Sequence, residues 1–325
     1  LDERFRSVIT RVGRAHGELP KRPKGSDCKS DCSAFGGSNP SLATMTFSLA
    51  TSAELLSVAR AVALEAGALV LEARRGAVEV AAAKSSSVDV VTQVDRDAES
   101  LIRGRLAELR PGDAFFGEES GGGSGTNGLT WVVDPIDGTV NFLYGIPHYA
   151  VSIAVVEGEA DPQSWRALAG VVVNPPTGEV YSATAGGGAH LGDRALRVRD
   201  AVALDQALVA TGFAYLAATR AEQGAAIARL LPLVRDIRRM GTASLDLCAV
   251  AAGRIDAYFE RTLSPWDHAA GALIAAEAGA AVTGLPGARA DHRFLLAAHP
   301  DLARMLAPVL AEVGAVPPAI DASAG

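Results

Sequence analysis

Five short apolar runs follow one another between residues 114 and 186: AFFG, LTWVVD, YAVSIAVVEG, ALAGVVVN and EVYSATAG. Pro and Gly stand between them. Each run is short and rich in β-branched or aromatic residues, so the block reads as consecutive β-strands. What lies on either side limits the possible folds further. Upstream, Leu55, Val58, Ala59, Val62 and Ala66 recur at helical spacing, predicting a helix over about 52–75 with a Thr51/Glu54 capping box. SSSVDVVTQVD is a short extended piece, and a second helix over about 95–109 stops at Arg110-Pro111-Gly112. Beyond residue 205 the pattern alternates. Strands are expected at ALVAT, DIRRM, IDAYFE, AAVTG and FLLAAH, and helices at 219–231, 243–253, 265–278 and 299–313. Interleaved helices around a block of strands predict an α/β chain of α+β layered type. Its 325 residues suffice for one large α/β domain or two ordinary ones.

The two ends differ from this body. Residues 1–44 include KRPKGSDCKSDCSAFGGSNPS, which has no hydrophobic period and is expected to be a disordered or non-native leader. It lacks the apolar centre of a secretory signal, and Met45 is a candidate natural start. Residues 45–315 form the expected domain, and 316–325 an expected flexible tail. No apolar run approaches the roughly 20 residues that span a bilayer. The net charge of −7, with no basic block, argues against a nucleic-acid groove without excluding one. Three cysteines make no disulfide framework, so a cytoplasmic location is expected. Cys248, inside SLDLCAVAA, reads as a core residue.

Carboxylates supply the chemistry. In DPIDGT, Asp134 ends a buried apolar run, where ligands of α/β sheets collect. Pro135 stiffens the backbone, so Asp134 and Asp137 can face one point, with the Ile136 carbonyl between them. Oxygen donors alone suit Mg²⁺ rather than Zn²⁺. A helical turn starting at Gly138-Thr139 would aim N–H groups at an anion. Taken alone, the hexapeptide favours an Asx-type turn with Asp-Gly closing it. Glu118 and Glu119 follow Phe115-Phe116, and Asp95 and Asp267 sit at the starts of two helices. Each has an ordinary structural reading: a solvated loop for the first pair, helix N-terminal acids for the others. All four together favour one carboxylate cluster. The loop GGGSGTNG lacks the Gly-Lys-Ser/Thr ending of a P-loop, no Gly-x-Ser-x-Gly elbow occurs, and the histidines share no zinc-ligand spacing.

The order GEES, WVVDPIDGTVNF and PWDHAAGALIAAEAG resembles the inositol monophosphatase family, nearest its bacterial SuhB-type branch, from about residue 50 to about 300. The resemblance implies the sugar-phosphatase fold, a five-layer αβαβα sandwich, and Mg²⁺-dependent hydrolysis of inositol-1-phosphate. It implies two or three Mg²⁺ ions, inhibition by Li⁺ and a homodimer. It also implies roles. Glu118, Asp134, the Ile136 carbonyl, Asp137 and Asp267 would hold metal. Asp95 and Thr139 would orient the attacking water, with Glu118 beside them in the catalytic set. Gly138 and Thr139 would meet the phosphate, and Lys84 would lie on a loop near the metals. Gly241, Thr242, Ala243 and Glu260 would line the inositol subsite, with Asp137 and Asp267 also against the substrate. Arg261, Thr262 and Leu263 depart from the small or Gly-containing residues common after that glutamate, which leaves the polyol preference open. Related activities on histidinol phosphate, fructose-1,6-bisphosphate or 3′-phosphoadenosine nucleotides stay open, as does a non-catalytic role with RNA or the transcription machinery.

Overall fold

A computed structural model describes residues 49–76, 80–83 and 90–317. The leader with Cys28, Cys32 and Met45, Lys84, and the last eight residues of the tail lie outside the described residues. The strand block folds as expected. AFFG, LTWVVD, YAVSIAVVEG, ALAGVVVN and EVYSATAG become β3 (Ala114–Gly117), β5 (Leu129–Asp137), β6 (Ala150–Glu157), β7 (Arg166–Asn174) and β8 (Glu179–Thr184). They sit in an eight-stranded sheet of order β10-β9-β8-β7-β6-β5-β3-β4. Its new members are β4 (Gly121–Gly122), β9 (Gly188–Leu191) and β10 (Arg194–Ala195). From β5 to β10 the strands are antiparallel neighbours, while β3 runs parallel to β5. GGGSGTNG is therefore not all loop: its first two residues pair with β3. Two short strands, β1 (Val80–Ala83) and β2 (Val90–Thr92), pair separately.

β5 is buried along its whole length, and β6 and β7 nearly so. Strands covered on both faces need no polar alternation, which is why these runs read as continuous apolar stretches. One cover is α1 (Leu49–Ala73) with α2 (Gln93–Leu109). Leu55, Ala59, Val62, Ala63, Ala66 and Val70 make the buried stripe of α1. This helix starts at Leu49, so Thr51 lies inside its first turn rather than at a cap, and the expected capping box does not begin it. The other cover is α5 (Ala243–Ala251) with α6 (Pro265–Glu277).

Behind α5 and α6 stands a five-stranded sheet of order β12-β11-β13-β15-β14. Its strands are β11 (Leu208–Thr211), β12 (Asp236–Arg238), β13 (Ala257–Glu260), β14 (Ala281–Thr283) and β15 (Leu295–Ala298). Period-two alternation divides its side chains between two cores. Ala210, Tyr258, Leu295 and Ala297 face the inter-sheet core with α5 and α6. Val209, Ala257, Phe259, Leu296 and Ala298 face a second core with α4 (Ala217–Leu230) and α7 (Pro300–Glu312). The layers are therefore helices, sheet, helices, sheet, helices, the αβαβα sandwich expected above. Cys248 is buried in the inter-sheet core.

Candidate active site

The stretch DPID does not end β5; it continues it through a bulge. Asp134 pairs with Ser152 and Asp137 with Ala150, so three steps along β5 match two along β6. One extra residue in one strand is a β-bulge. Pro135, which has no N–H to give to a ladder, falls inside it. In a regular strand, residues three apart point to opposite faces. The extra residue reverses that parity: Ser152 and Ala150 share a face, so Asp134 and Asp137 do too. The turn-like reading also has its place, because the Ile136 N–H donates to Asp134 Oδ1 at 3.0 Å in an Asx-type bond.

Gly138 follows with φ 93° and caps the short helix α3 (Thr139–Tyr144). A Cβ at Gly138 would collide with the Thr242 hydroxyl, and φ is in the left-handed region, so only glycine fits. The Thr139 hydroxyl lies 3.1 Å from both Asp95 Oδ1 and the Ile136 carbonyl. Asp95 is fully buried. It closes a capping box with Thr92, whose N–H donates to Asp95 Oδ2 at 2.8 Å.

A cleft of about 500 Å³ opens over these residues. Glu118, Asp134, Ile136, Asp137, Gly138, Thr139 and Asp267 line it, and Gly241, Thr242, Ala243 and Glu260 line it too. Four separate segments thus bring five carboxylates to one space: the loop after β3, the bulge of β5, the first turn of α6 and, with Glu260, the end of β13. Asp95 is the exception. It does not line the cleft but stands behind Thr139.

The electrostatics follow from the crowding. Burial raises the Asp134 carboxyl well above the usual range, and the charges of Glu118, Asp137 and Asp267 raise it further. Asp267 is raised in the same way, by burial and then by Asp137 and Glu118. Burial pushes Asp137 up to about 6, against the pull of the Ser244 hydrogen bonds. Ser244 N–H donates to Asp137 Oδ2 at 2.7 Å, and its hydroxyl to the same oxygen. Asp137 therefore caps α5 from another element, the favourable place for a carboxylate. The Thr242 hydroxyl turns away, donating to the His148 carbonyl at 2.8 Å. Asp267 caps its own helix through the Ser264 N–H at 2.6 Å. The capping readings of Asp95 and Asp267 are thus true, and the cluster exists as well.

Three residues escaped the sequence reading. Ser244 anchors Asp137. Glu99 of α2, itself buried, accepts from the Glu119 N–H at 2.7 Å and from the Ser120 hydroxyl, so it holds the loop carrying Glu118. Asp246, in the first turn of α5, is buried and sits within the field of Glu260 and Asp137. A polar residue one turn into an apolar helix gives no periodic signal, and the acceptor of a distant loop gives none at all. His268, beside Asp267, turns into the core against Trp165, and burial lowers it to about 4.

Thr262 has φ 69° at the rim of the cleft. A β-branched residue is strained there. Thr262→Gly is expected to stabilise the protein by about 1 kcal/mol, read from the midpoint of urea unfolding; an unchanged or lower midpoint counts against strain at this residue.

Among the described residues, no three carboxylate, imidazole or thiolate side chains already close on one point as a preformed metal cage. The donor chemistry nevertheless fits a hard cation. Every donor is oxygen, and the charges that act most on Asp134 and Asp267 are other carboxylates. Closing on a cation requires these side chains to rotate toward it within the shared cleft.

The family model described as the inositol monophosphatase family matches residues 51–315. The chain belongs to the inositol monophosphatase family. It is thereby a phosphatase of the hydrolase class. As a family member it is 48% identical over 252 residues to an inositol-1-monophosphatase of Mycobacterium leprae, covering 74% of this chain and 84% of that one. The solved structure of Mycobacterium tuberculosis SuhB matches with TM-score 0.68 and 46% identity, covering 81% of this chain and 97% of that one. The Escherichia coli protein named Nus factor SuhB is 39% identical over 249 residues, covering 74% of this chain and 88% of its own length. Among the described residues, no helix is long and apolar enough to cross a membrane.

Proposed function

We propose that this inositol monophosphatase family member hydrolyses inositol-1-phosphate to inositol and phosphate in a Mg²⁺-dependent reaction. The observation that carries the reading is the convergence of Glu118, Asp134, Asp137 and Asp267 on one cleft. These four, with the Ile136 carbonyl, would hold two or three Mg²⁺ ions. When bound, Mg²⁺ offsets the phosphate charge, makes a water more acidic and stabilises the leaving oxygen.

The protein's own groups account for the rest. Thr139 has one hydroxyl proton and two acceptors within reach, so it donates to one at a time. When it donates to Asp95, its oxygen is free to accept from a water in the cleft. Asp95 already takes Thr92 on its other oxygen, which fixes the carboxylate. As that water attacks phosphorus, the bond from phosphorus to the inositol oxygen breaks. The water's proton passes to Thr139 and the Thr139 proton to Asp95, and the leaving alkoxide takes a proton from a solvent water. The Gly138 and Thr139 backbone meets the phosphate, and Glu260 accepts hydrogen bonds from the polyol. Thr139→Val is expected to lower kcat by roughly a hundredfold, the size of a lost acid–base contribution, with little change in KM. Thr139→Ser should restore most of the rate in steady-state assays. Equal rates for the valine variant and the parent would remove Thr139 from the mechanism.

Support for inositol-1-phosphate over the related esters comes from Glu260 and from the names of the relatives. The discriminating experiment is Mg²⁺-dependent phosphate release from inositol-1-phosphate, histidinol phosphate, fructose-1,6-bisphosphate and adenosine 3′,5′-bisphosphate. The expected result is the highest kcat/KM for inositol-1-phosphate. A higher value for any other ester reassigns the substrate, and no release from any of them removes the catalytic reading. The homodimer and Li⁺ inhibition rest on family resemblance; sedimentation equilibrium and a Li⁺ titration test them.

A further inference from the structure

Glu260 is the last residue of β13 and lies two positions after Tyr258, so both side chains stand on the same face of the sheet. Tyr258 is completely buried in the inter-sheet core. Its phenol donates to Glu260 Oε2 at 2.5 Å. On the other side lies β11, which pairs in parallel with β13 up to Thr211 opposite Phe259. The next residue, Gly212, therefore comes beside Glu260. A Cβ there would fall on the Glu260 carboxylate oxygens. Glycine at 212 is not set by its dihedral angles, which lie outside the left-handed region. It is set by the space the carboxylate occupies. Gly212 and Glu260 line the active cleft together.

We propose that Tyr258 and Gly212 form a slot that fixes the direction in which Glu260 presents its carboxylate to the substrate's hydroxyl groups, making Tyr258 a positioning residue for polyol discrimination. This rests on the reading of Glu260 as a polyol contact. Tyr258 sits beneath the cleft wall and does not line it, so it acts on substrate only through Glu260. A glutamate side chain has three rotatable bonds. Held by the phenol on one oxygen and laid across a bare Cα, it keeps one arrangement, and less ordering is left to be done when a polyol binds.

The test compares inositol-1-phosphate with phenyl phosphate, whose alcohol carries no further hydroxyls. Tyr258→Phe keeps the ring in the core and removes the donor. The expected result is a ratio of kcat/KM, inositol-1-phosphate over phenyl phosphate, lowered about tenfold, the value of one hydrogen bond to a charged group. The change should appear mainly in the KM for inositol-1-phosphate. Gly212→Ala should lower the same ratio from the opposite side of the slot, and serves alone if Tyr258→Phe does not fold. Glu260→Gln separates the two levels of the argument. If it leaves the ratio unchanged, the reading of Glu260 fails. If it lowers the ratio while Tyr258→Phe and Gly212→Ala do not, the slot fails and the reading survives. The double variant Tyr258→Phe/Glu260→Gln should discriminate no worse than Glu260→Gln alone. A further loss in the double variant, or equal losses on both esters, would show a merely structural tyrosine and overturn the proposal.

Discussion

Asp134→Asn is expected to abolish the proposed Mg²⁺-dependent phosphate release while the fold survives. Asp134 is the carboxylate at the centre of the cluster: Glu118, Asp137 and Asp267 all act on it. An amide keeps the shape and one acceptor oxygen, so the Asx-type bond to the Ile136 N–H can persist. What goes is the charge that attracts a cation. Metal assistance is worth several kcal/mol, so the loss in kcat/KM is expected to be at least about a thousandfold. The fold should hold because the substitution removes a buried charge that its neighbours repel. Phosphate release at saturating Mg²⁺, with circular dichroism as the control for folding, decides the matter. A folded Asp134→Asn protein with full activity refutes the metal site.

The second large effect is on stability without metal. The metal-free protein is expected to lose stability as pH rises from about 4 to 8, opposite to the behaviour of a protein whose carboxylates are salt-bridged. Asp137 is pushed up to about 6 and Glu260 to about 7, and Asp134 and Asp267 lie well above their ordinary values. For each, the folded state holds its proton more tightly than the unfolded chain. The contribution is complete below the unfolded pKa near 4. It is lost as pH rises through the folded value. His268, lowered to about 4, acts in the opposite sense up to its ordinary value of 6.5; the four raised carboxylates outweigh it there and act without that opposition at higher pH. Asp137 alone, moved from 3.8 to about 6, accounts for on the order of 3 kcal/mol. Urea unfolding of metal-free protein at pH 5 and pH 8 measures it. Added Mg²⁺ should stabilise more at pH 8, where the ligands are already deprotonated. Asp134→Asn should make the pH dependence shallower. Metal-free stability that is flat or rising across this range would mean that the carboxylates are not crowded together in solution.

Much of this was legible in the sequence, for a physical reason. The strand block from 114 to 186 appears as written because strands covered on both faces are selected for apolar character at every position. The later helices begin within about two residues of expectation, since Ser264-Pro265 and similar starts are local signals. The pieces that stayed hidden are those whose cause is distant. β9 exists because β8 offers it an edge, and β10 because β9 does. Thr51 looks like a cap, but α1 continues past it to Leu49. Each acid of the cluster had an adequate local explanation, and only their combination, with the family resemblance, pointed to one cluster. Ser244 and Glu99 had no signal, because a residue that holds another element's carboxylate or loop carries its meaning in the partner. Asp95 shows the opposite case: its residue type, helix position and, from the resemblance, its pairing with Thr139 were legible, but its place outside the cleft lining needed the fold.

The bulge in β5 has a consequence for how such a chain can vary. Asp134 and Asp137 share a face only because one surplus residue lies between them and their partners on β6. Changing residue 135 or 136 alters stiffness or packing and leaves both carboxylates pointing into the cleft. Removing one of those two restores plain alternation with the carboxylates two apart, so both still share a face, but it draws them closer together. What such a deletion removes is spacing: the surplus residue holds the two carboxylates apart and leaves the Ile136 carbonyl, which accepts from Thr139, between them.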